Sequence, residues 1–283
     1  MFEFVRRIVA DADRDAATGG IAAALAQLRK LSLSDFGKVL WSMPDPKFPN
    51  LSLALPRMAS VQAQKNYTGQ SGNDLLLNTL AFVRILENNY LRYTSKNLHN
   101  DTVLDFGVGY GRMVRLLYYF TDPDNIWGLD PMPEPHKLCA EAGLLGNFRQ
   151  SELIPTSLPT DGRKFDLAYA FSVFTHLSPT AADPCLSAVR DVMNTGGLFM
   201  PTVWPPEMWQ FQDQLRGTTI APEMMRTFAE TGFAYVPHDG AMGLTYGRST
   251  IAFDFFRNKG WDLLGYDSTP TDPYQIVLIL RKQ

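Results

Sequence analysis

The sequence predicts an α/β fold with a parallel sheet, a helical N-terminal extension and an antiparallel strand at the C-terminus. After Asn100, short β-type runs alternate with helical stretches at the spacing of βαβ units, which is typical of parallel sheets. Within residues 103–113, an apolar strand is followed directly by three glycines. This pattern is typical of a strand-to-helix turn at which a ligand can come close to the backbone. Near the C-terminus, residues 261–267 and 275–281 are strand-like with no helix between them, which predicts an antiparallel pair.

The first hundred residues favour helices and loops, and we expect residues 1–100 to form an extension that partly covers the core. Residues 20–30 are rich in strong helix formers, and a second predicted helix over 34–42 begins at Ser34, a suitable N-cap. Four prolines within residues 41–56 predict an extended, irregular segment there.

The predicted extension ends in a long amphipathic helix. A polar, glycine-containing loop over 66–74 precedes it, and Ser71 or Asn73 can cap the helix that follows. Over 74–93, apolar residues recur at intervals of three and four, which indicates that one face is buried.

Residues 101–283 form the predicted core, in which strands alternate with helices. The predicted strands cover 102–106, 125–129, 165–171 and 197–203. The predicted helices between them cover 111–120, 134–143 and 180–193. This order indicates a parallel sheet flanked by helices.

Composition and charge exclude several classes of protein. Hydrophobic residues make up 45% and charged residues 19%, which is typical of a globular chain and excludes a disordered one. The net charge of −3 argues against a nucleic acid or an anionic membrane as the main partner. No run approaches the ~18 apolar residues of a membrane span, and acids come too early for a signal peptide. With two cysteines and no carboxylate cluster at ligand spacing, we expect a cytoplasmic protein without a metal.

The segment VLDFGVGYGRM, residues 103–113, is the most informative motif. Gly107, Gly109 and Gly111 let the backbone turn tightly and let a ligand approach where a Cβ would obstruct it. Taken alone, the glycine motif could also be a tight structural turn that binds no ligand. Asp130 favours the binding interpretation, because it ends the next predicted strand, where a carboxylate can accept both hydrogens of a ribose diol.

The spacing of the glycines discriminates between adenosine ligands. Nicotinamide dinucleotides are typically bound by G-x-G-x-x-G, whereas this sequence has G-x-G-x-G. Arg112 stands at the third-glycine position of that fingerprint, and its bulk would obstruct close packing of helix on strand. The pattern therefore disfavours a pyrophosphate site.

Several segments of the core, in order and spacing, resemble the class I S-adenosylmethionine-dependent methyltransferases. These segments are VLDFGVGYGR, then GLD, FDLAYAFSVFTHL (165–177) and GGLFM (196–200). The resemblance covers about residues 101–283 and implies a Rossmann-like three-layer sandwich with an antiparallel C-terminal strand. Weaker similarities, to a bacterial branch that often methylates sugars or small metabolites, lie in YTGQSG (67–72), TYGRS (245–249) and QIVLILRK (275–282).

The resemblance implies a set of cofactor-binding residues for S-adenosylmethionine. These are Asp105, Phe106, Gly107, Gly109, Gly111, Asp130, Pro131, Met132, Phe171 and Ser172. Asp105 would orient the methionine ammonium, the glycines would shape the loop around methionine and ribose, and Asp130 would bind the ribose hydroxyls.

The remaining implied contacts concern the adenine and the methyl group. Pro131 and Met132 would lie beside the adenine, and Phe171 and Ser172 would face the methyl group. The contact to the adenine amino group falls within residues 148–155 with its register open, so that the candidates are Ser151, Glu152 and Leu153.

Two residues are candidates for a catalytic base, which an oxygen acceptor can require. His176 follows the fourth predicted strand, near the expected position of the methyl group; alternatively it caps the next helix or packs under the loop. Glu207 lies among Trp204, Trp209 and Phe211. That segment is either an acceptor pocket or, as the sequence favours, an amphipathic helix packed on the core.

Two further pairs of residues each have two interpretations. Tyr67 and Thr68 could close over the cofactor or could cap the helix. Tyr246 and Arg248 could bind an anionic or sugar acceptor, or could belong to an ordinary turn.

These observations predict transfer of a methyl group from S-adenosylmethionine to an oxygen or nitrogen of a small molecule or glycan. One alternative is a methyltransferase-like binding or scaffold protein that has lost catalysis. A nicotinamide-dependent oxidoreductase is a less favoured alternative, because the glycine spacing opposes it. The identity of the acceptor and the oligomeric state are not determined by the sequence.

Overall fold

The computed structural model describes residues 3–257 and 259–283. The chain divides into two compact units, Met1–Gln150 and Ser151–Gln283. No helix in the described residues has the length and apolar content needed to cross a membrane.

The first unit contains seven α-helices and three strands among its described residues. In chain order these are α1 (Glu3–Leu28), α2 (Leu33–Ser42), α3 (Pro49–Ala54), α4 (Val61–Thr68), α5 (Gly72–Thr94), β1 (Val103–Phe106), α6 (Arg112–Leu117), β2 (Ile126–Asp130), α7 (Pro133–Glu141) and β3 (Asn147–Gln150). The strands β1 and β2 are parallel, as are β2 and β3, and every residue of β1 and β2 is buried. Continuous burial of this kind is expected of parallel strands that are covered on both faces.

The two N-terminal helices differ from their predicted bounds. The helix α1 begins at Glu3, well before residue 20, because small residues in its first half provide a buried stripe. A break at Gly20, with φ of +58°, divides α1 where the glycine tolerates a left-handed backbone. The N-cap of α2 is Ser32, whose hydroxyl accepts the Asp35 amide at 3.1 Å, so the prediction of Ser34 as the cap was wrong.

The proline-rich segment and the polar loop both contain helix that the sequence interpretation missed. Pro49 occupies the first position of α3, where a backbone N–H would have no partner within the helix. A proline, which has no N–H, can therefore begin a helix here. The helix α4 extends to Thr68 and takes up part of the predicted loop over 66–74. Ser71 stands at the N-cap of α5 without a side-chain capping hydrogen bond, and Asn73 lies inside that helix.

The second unit contains three α-helices and six strands among its described residues. In chain order these are β4 (Phe165–Ala170), α8 (Pro179–Asp191), β5 (Met193–Val203), α9 (Met208–Arg216), α10 (Ala221–Thr231), β6 (Phe233–Pro237), β7 (Gly247–Ile251), β8 (Trp261–Thr269) and β9 (Asp272–Lys282). The strands β4 and β5 are parallel, whereas β9 is antiparallel to both β5 and β8. The strands β6 and β7 form a separate antiparallel pair, which the sequence did not predict.

These elements confirm the predicted fold class, a mixed α/β Rossmann-like arrangement with an antiparallel C-terminal strand. Helices separate the parallel strands along the chain, and the predicted pairing near the C-terminus is present as β8 and β9. The predicted division into a helical extension over 1–100 and a core over 101–283 stays a prediction.

Candidate cofactor and acceptor sites

The glycine loop of the first unit turns directly after β1. The amides of Gly107 and Val108 both donate to the carbonyl of Leu129, at 2.7 and 2.9 Å, which holds the loop against the end of β2. The φ angles of Gly107, Gly109 and Gly111 are +91°, +53° and +69°, in the left-handed region that favours glycine. The motif is therefore needed for the backbone conformation itself.

Two of these glycines have very different surroundings. A Cβ at Gly111 would lie 2.1 Å from Cδ2 of the buried Leu144, so this side chain would have to shift to admit it. A Cβ at Gly109 would meet only the ring of Tyr67, at 3.7 Å, which is ordinary van der Waals contact. Gly111 is thus required by packing, whereas Gly109 turns an uncrowded backbone surface towards Tyr67.

Asp130 ends β2 beside this loop and is almost fully buried. One carboxylate oxygen accepts the amide of Gly109 at 3.1 Å, and the other accepts the amide of Met132 at 3.0 Å. Burial raises the pKa of Asp130, while the two backbone hydrogen bonds and the nearby His136 lower it. Each oxygen of a carboxylate has capacity for a further hydrogen bond, so Asp130 fits the predicted role of accepting two ribose hydroxyls.

Tyr67 and Thr68 lie in the last turn of α4 and differ in what they do. The ring of Tyr67 packs edge-to-face on Tyr110 of the glycine loop, with centroids 5.4 Å apart, and remains half exposed. Burial raises the pKa of the Tyr67 phenol, and the Asp130 carboxylate raises it further. The hydroxyl of Thr68 lies 2.8 Å from the carbonyl of Gln64 at the helix end. The structure therefore brings Tyr67 to the loop, while Thr68 helps to terminate α4.

The other cofactor candidates of the first unit lie on the ends of the same strands. Asp105 and Phe106 are buried at the end of β1. The carbonyl of Pro131 accepts a hydrogen bond from the Gln150 side chain at 2.9 Å, and Met132 is exposed. Their contacts with a cofactor stay predictions.

Arg115 is a feature of this loop that sequence reasoning missed. Its guanidinium is fully buried and donates to the carbonyls of Tyr110 and Gly111, at 2.9 and 2.7 Å. A third bond, at 2.7 Å, reaches the carbonyl of Arg57. Arg115 therefore ties the glycine loop to the segment before α4. The available signal was an arginine among the apolar residues of α6.

Cys139 lies beneath the same loop as a protonated thiol. Its sulfur donates to the carbonyl of Gly109 at 3.4 Å. Burial, with a further contribution from Asp105 and Asp130, raises the pKa of the Cys139 thiol to about 12. A thiol with such a pKa is a poor nucleophile at neutral pH.

The region expected to contact adenine begins at the end of β3. Gln150 is the last residue of β3, Ser151 is buried, and Glu152 and Leu153 are exposed. The choice among the three candidates stays open.

In the second unit, Ser172 occupies a strained position after β4. Its φ is +59°, which is unusual for a residue with a Cβ, and its amide donates to the Thr202 hydroxyl at 2.7 Å. Its own hydroxyl lies 3.1 Å from that of Thr175 and accepts the side-chain amide of Gln275 at 3.2 Å. The adjacent Phe171 is partly buried.

The structure fixes the tautomer of His176. The Nδ1 atom lies 2.7 Å from the carbonyl oxygen of Gly247, which can only accept, so Nδ1 carries the proton. The Nε2 atom then carries the lone pair and accepts a hydrogen bond from the hydroxyl of Ser172, whose oxygen lies 3.5 Å away. This is the form that a general base requires.

The surroundings of His176 keep the imidazole neutral. Burial lowers the pKa of His176, the bond to Gly247 opposes this, and the charges of Arg216 and Arg248 lower it again. The ring of Tyr246 stacks on the imidazole with centroids 4.9 Å apart, and Trp204 contacts it edge-on at 5.4 Å. His176 is therefore packed against aromatic side chains, as the structural alternative predicted. The same residue also has the tautomer that a base requires, so the two interpretations are compatible.

The segment around Glu207 mostly serves the core. Trp209 is 1% exposed, its indole N–H donates to the Thr250 hydroxyl at 2.9 Å, and it belongs to a cluster with α10 and β6. Phe211 is exposed and stacks on Tyr274. These contacts confirm the favoured interpretation of an amphipathic helix packed on the core. Glu207 itself is exposed at the N-cap of α9 without a capping bond, and its role as a base stays a prediction.

Across residues 3–257 and 259–283, no group of three or more histidine, cysteine, aspartate or glutamate side chains is arranged to hold a metal ion.

Comparison with known proteins identifies the domain that carries the glycine loop. Residues 103–197 match the family model described as a methyltransferase domain. A search of curated proteins gave no match.

Among solved structures, the chain is similar to two S-adenosylmethionine-dependent methyltransferases. One, from Clostridium acetobutylicum ATCC 824, is 14% identical, with a TM-score of 0.47, covering 70% of this chain and 91% of that chain. The other, from Methanosarcina mazei, is 18% identical, with a TM-score of 0.47, covering 69% of this chain and 95% of that chain.

The family match spans Asp105, the three glycines, Asp130 and His176. It confirms the prediction of a methyltransferase domain in this chain, and S-adenosylmethionine as its cofactor stays a prediction.

Proposed function

We propose that this protein is an S-adenosylmethionine-dependent methyltransferase, which transfers the methyl group to an oxygen or nitrogen of a small molecule or glycan. The observation that carries the proposal is the glycine loop hydrogen-bonded to a buried carboxylate, with Gly109 joined to Asp130.

In this proposal, residues of the first unit bind the cofactor. Asp130 accepts the ribose hydroxyls, because its two oxygens are already oriented by the amides of Gly109 and Met132. Tyr67 covers the loop with an aromatic ring, which excludes water from the bound cofactor. Arg115 holds the carbonyls of the loop in place, so that little reorganisation is needed on binding.

When bound, S-adenosylmethionine supplies a methyl group already activated on a sulfonium. His176 supplies the base: its Nε2 takes the proton from the acceptor hydroxyl or amine, while Nδ1–H remains bonded to Gly247. The imidazolium that forms keeps this carbonyl as a partner, and the lowered pKa of His176 favours return of the proton to water. Tyr246 and Trp204 hold the ring in its plane by aromatic contact.

The first experiment is calorimetric titration of the whole chain with S-adenosylmethionine and, separately, with S-adenosylhomocysteine. We expect both to bind in the micromolar range. Asp130→Asn should weaken both by about 10- to 100-fold, because charge-assisted hydrogen bonds to the ribose become neutral ones. Asp124→Asn is the matched control, since it removes an exposed carboxylate just before the other end of β2.

These titrations, together with a turnover assay and measurements of melting temperature, separate the alternative functions. No binding of either ligand, or equal binding by wild type and Asp130→Asn, would contradict the cofactor assignment. Binding without turnover on any hydroxyl- or amine-bearing acceptor would favour the scaffold alternative. A rise in melting temperature with nicotinamide dinucleotides instead would favour the oxidoreductase.

A further inference from the structure

We infer that the second unit binds an oxyanion of the methyl acceptor, a carboxylate or a phosphate, through Arg216 and Arg248. The inference deepens the proposed function and rests on it, because it assigns a chemical class to the acceptor. It adds Arg216 and Gln212, which the sequence did not single out.

The two arginines meet at a single neutral oxygen. Gln212 of α9 is 5% exposed, and its Oε1 accepts from Nε of Arg216 at 2.9 Å and from a terminal nitrogen of Arg248 at 3.4 Å. Within the part of the chain that the structure describes, neither guanidinium has a carboxylate oxygen within 4.0 Å. Two positive charges are thus held together by a group that does not neutralise them.

The nearest carboxylate is committed elsewhere. The Asp213 carboxylate accepts hydrogen bonds from the Thr218 hydroxyl at 2.6 Å and from the amides of Ile220 and Ala221 at 3.0 and 2.8 Å. These bonds close the start of α10, as expected for a side chain that satisfies free amides at a helix N-terminus. Asp213 therefore stabilises the loop; its charge raises the pKa of Arg248, but the two side chains form no ion pair within 4.0 Å.

Unused donors remain on both guanidiniums. An arginine side chain has five N–H donors, and each of these two uses one of them on Gln212. The planar fork of the guanidinium matches the oxygens of a carboxylate or a phosphate. The Arg248 guanidinium lies over the ring of Trp209, with 5.9 Å from its central carbon to the ring centroid, which restrains the direction of the side chain.

The pair also acts on the candidate base. Arg248 follows Gly247, whose carbonyl holds Nδ1 of His176, and both arginines lower the pKa of that imidazole. Burial and the charge of Arg216 lower the pKa of Arg248, whereas the charge of Asp213 raises it. A bound anion would relieve the remaining repulsion between the two arginines. A neutral sugar would leave this repulsion in place, so an anionic acceptor fits better.

The test uses inorganic phosphate and acetate as probes, titrated calorimetrically into the whole chain at low ionic strength. The variants are Arg216→Met and Arg248→Met, which keep an apolar stem, with Arg248→Lys as a variant that keeps the charge. Arg226→Met is the matched control, because Arg226 is an exposed arginine of α10. We expect the tighter of the two probes to lose about 10-fold or more in affinity in each Met variant and none in the control.

A second readout is the pKa of His176, followed by NMR and assigned with His176→Gln. The bound probe should raise this pKa in the wild type and leave it unchanged in the Arg216→Met/Arg248→Met double variant. Failure of both probes to bind, or equal binding by all variants, would overturn the inference. S-adenosylhomocysteine is titrated in the same samples, so loss of the proposed function is recognised separately by its failure to bind. Preference for phosphate or for acetate identifies the oxyanion.

Discussion

Substitution of Gly111 by alanine tests whether core packing, rather than backbone conformation alone, requires the third glycine of the loop. The φ of Gly111 is +69°, and an added Cβ would lie 2.1 Å from Leu144 Cδ2. A left-handed backbone costs a residue with a Cβ about 1–2 kcal/mol, and overpacking a core costs about 1–3 kcal/mol. We therefore expect Gly111→Ala to lower the free energy of unfolding by about 2–5 kcal/mol.

Gly109→Ala is the matched comparison in the same loop. Its φ is +53°, but the nearest atom to an added Cβ is 3.7 Å away, on Tyr67. Only the backbone cost applies, so we expect a loss of about 1–2 kcal/mol. The free energies of unfolding are measured by urea denaturation followed by circular dichroism.

A double-mutant cycle with Leu144→Ala isolates the clash. Shortening Leu144 removes the atom that the new Cβ would meet, so the Gly111→Ala cost should fall by about 1–3 kcal/mol in this background. Equal losses for Gly109→Ala and Gly111→Ala, or full additivity in the cycle, would refute the packing argument.

Three further predictions follow from the buried polar groups. Arg115→Met should lower the free energy of unfolding by about 3–5 kcal/mol in urea, since three carbonyls lose a charged donor; an unchanged midpoint would contradict this. Because the pKa of His176 is lowered in the fold, the unfolded chain binds its proton more tightly, so stability should fall as the pH drops below about 6.5. Urea titrations from pH 8 to 5 should show a shallower decline for His176→Gln, and identical slopes would exclude the assignment. Cys139, with its pKa raised to about 12, should resist iodoacetamide at pH 8 in the native protein and react in urea; native labelling would show that the thiol is accessible.

The sequence was sufficient for features that depend on neighbouring residues along the chain. The alternation of strands and helices, the glycine turn and Asp130 at the end of β2 are all local patterns, and the structure contains each of them. The antiparallel pair β8 and β9 was predicted for the same reason, since no helix lies between the two runs.

Local patterns failed where the signals were short or ambiguous. The strands β6 and β7 have five residues each and pair across an intervening loop, so neither stands out in the sequence. The helix α3 begins at a proline, a residue that ends helices as readily as it starts them.

Only the tertiary structure decided the chemistry of the individual side chains. The tautomer of His176 depends on the carbonyl of Gly247, far away in the sequence, and the burial of Arg115 depends on the carbonyl of Arg57. Arg216 and Arg248 meet only because α9 and β7 bring them to Gln212. Sequence patterns report the covalent neighbours of a residue, whereas its pKa, its hydrogen bonds and its pairing energy are set by groups that folding brings near.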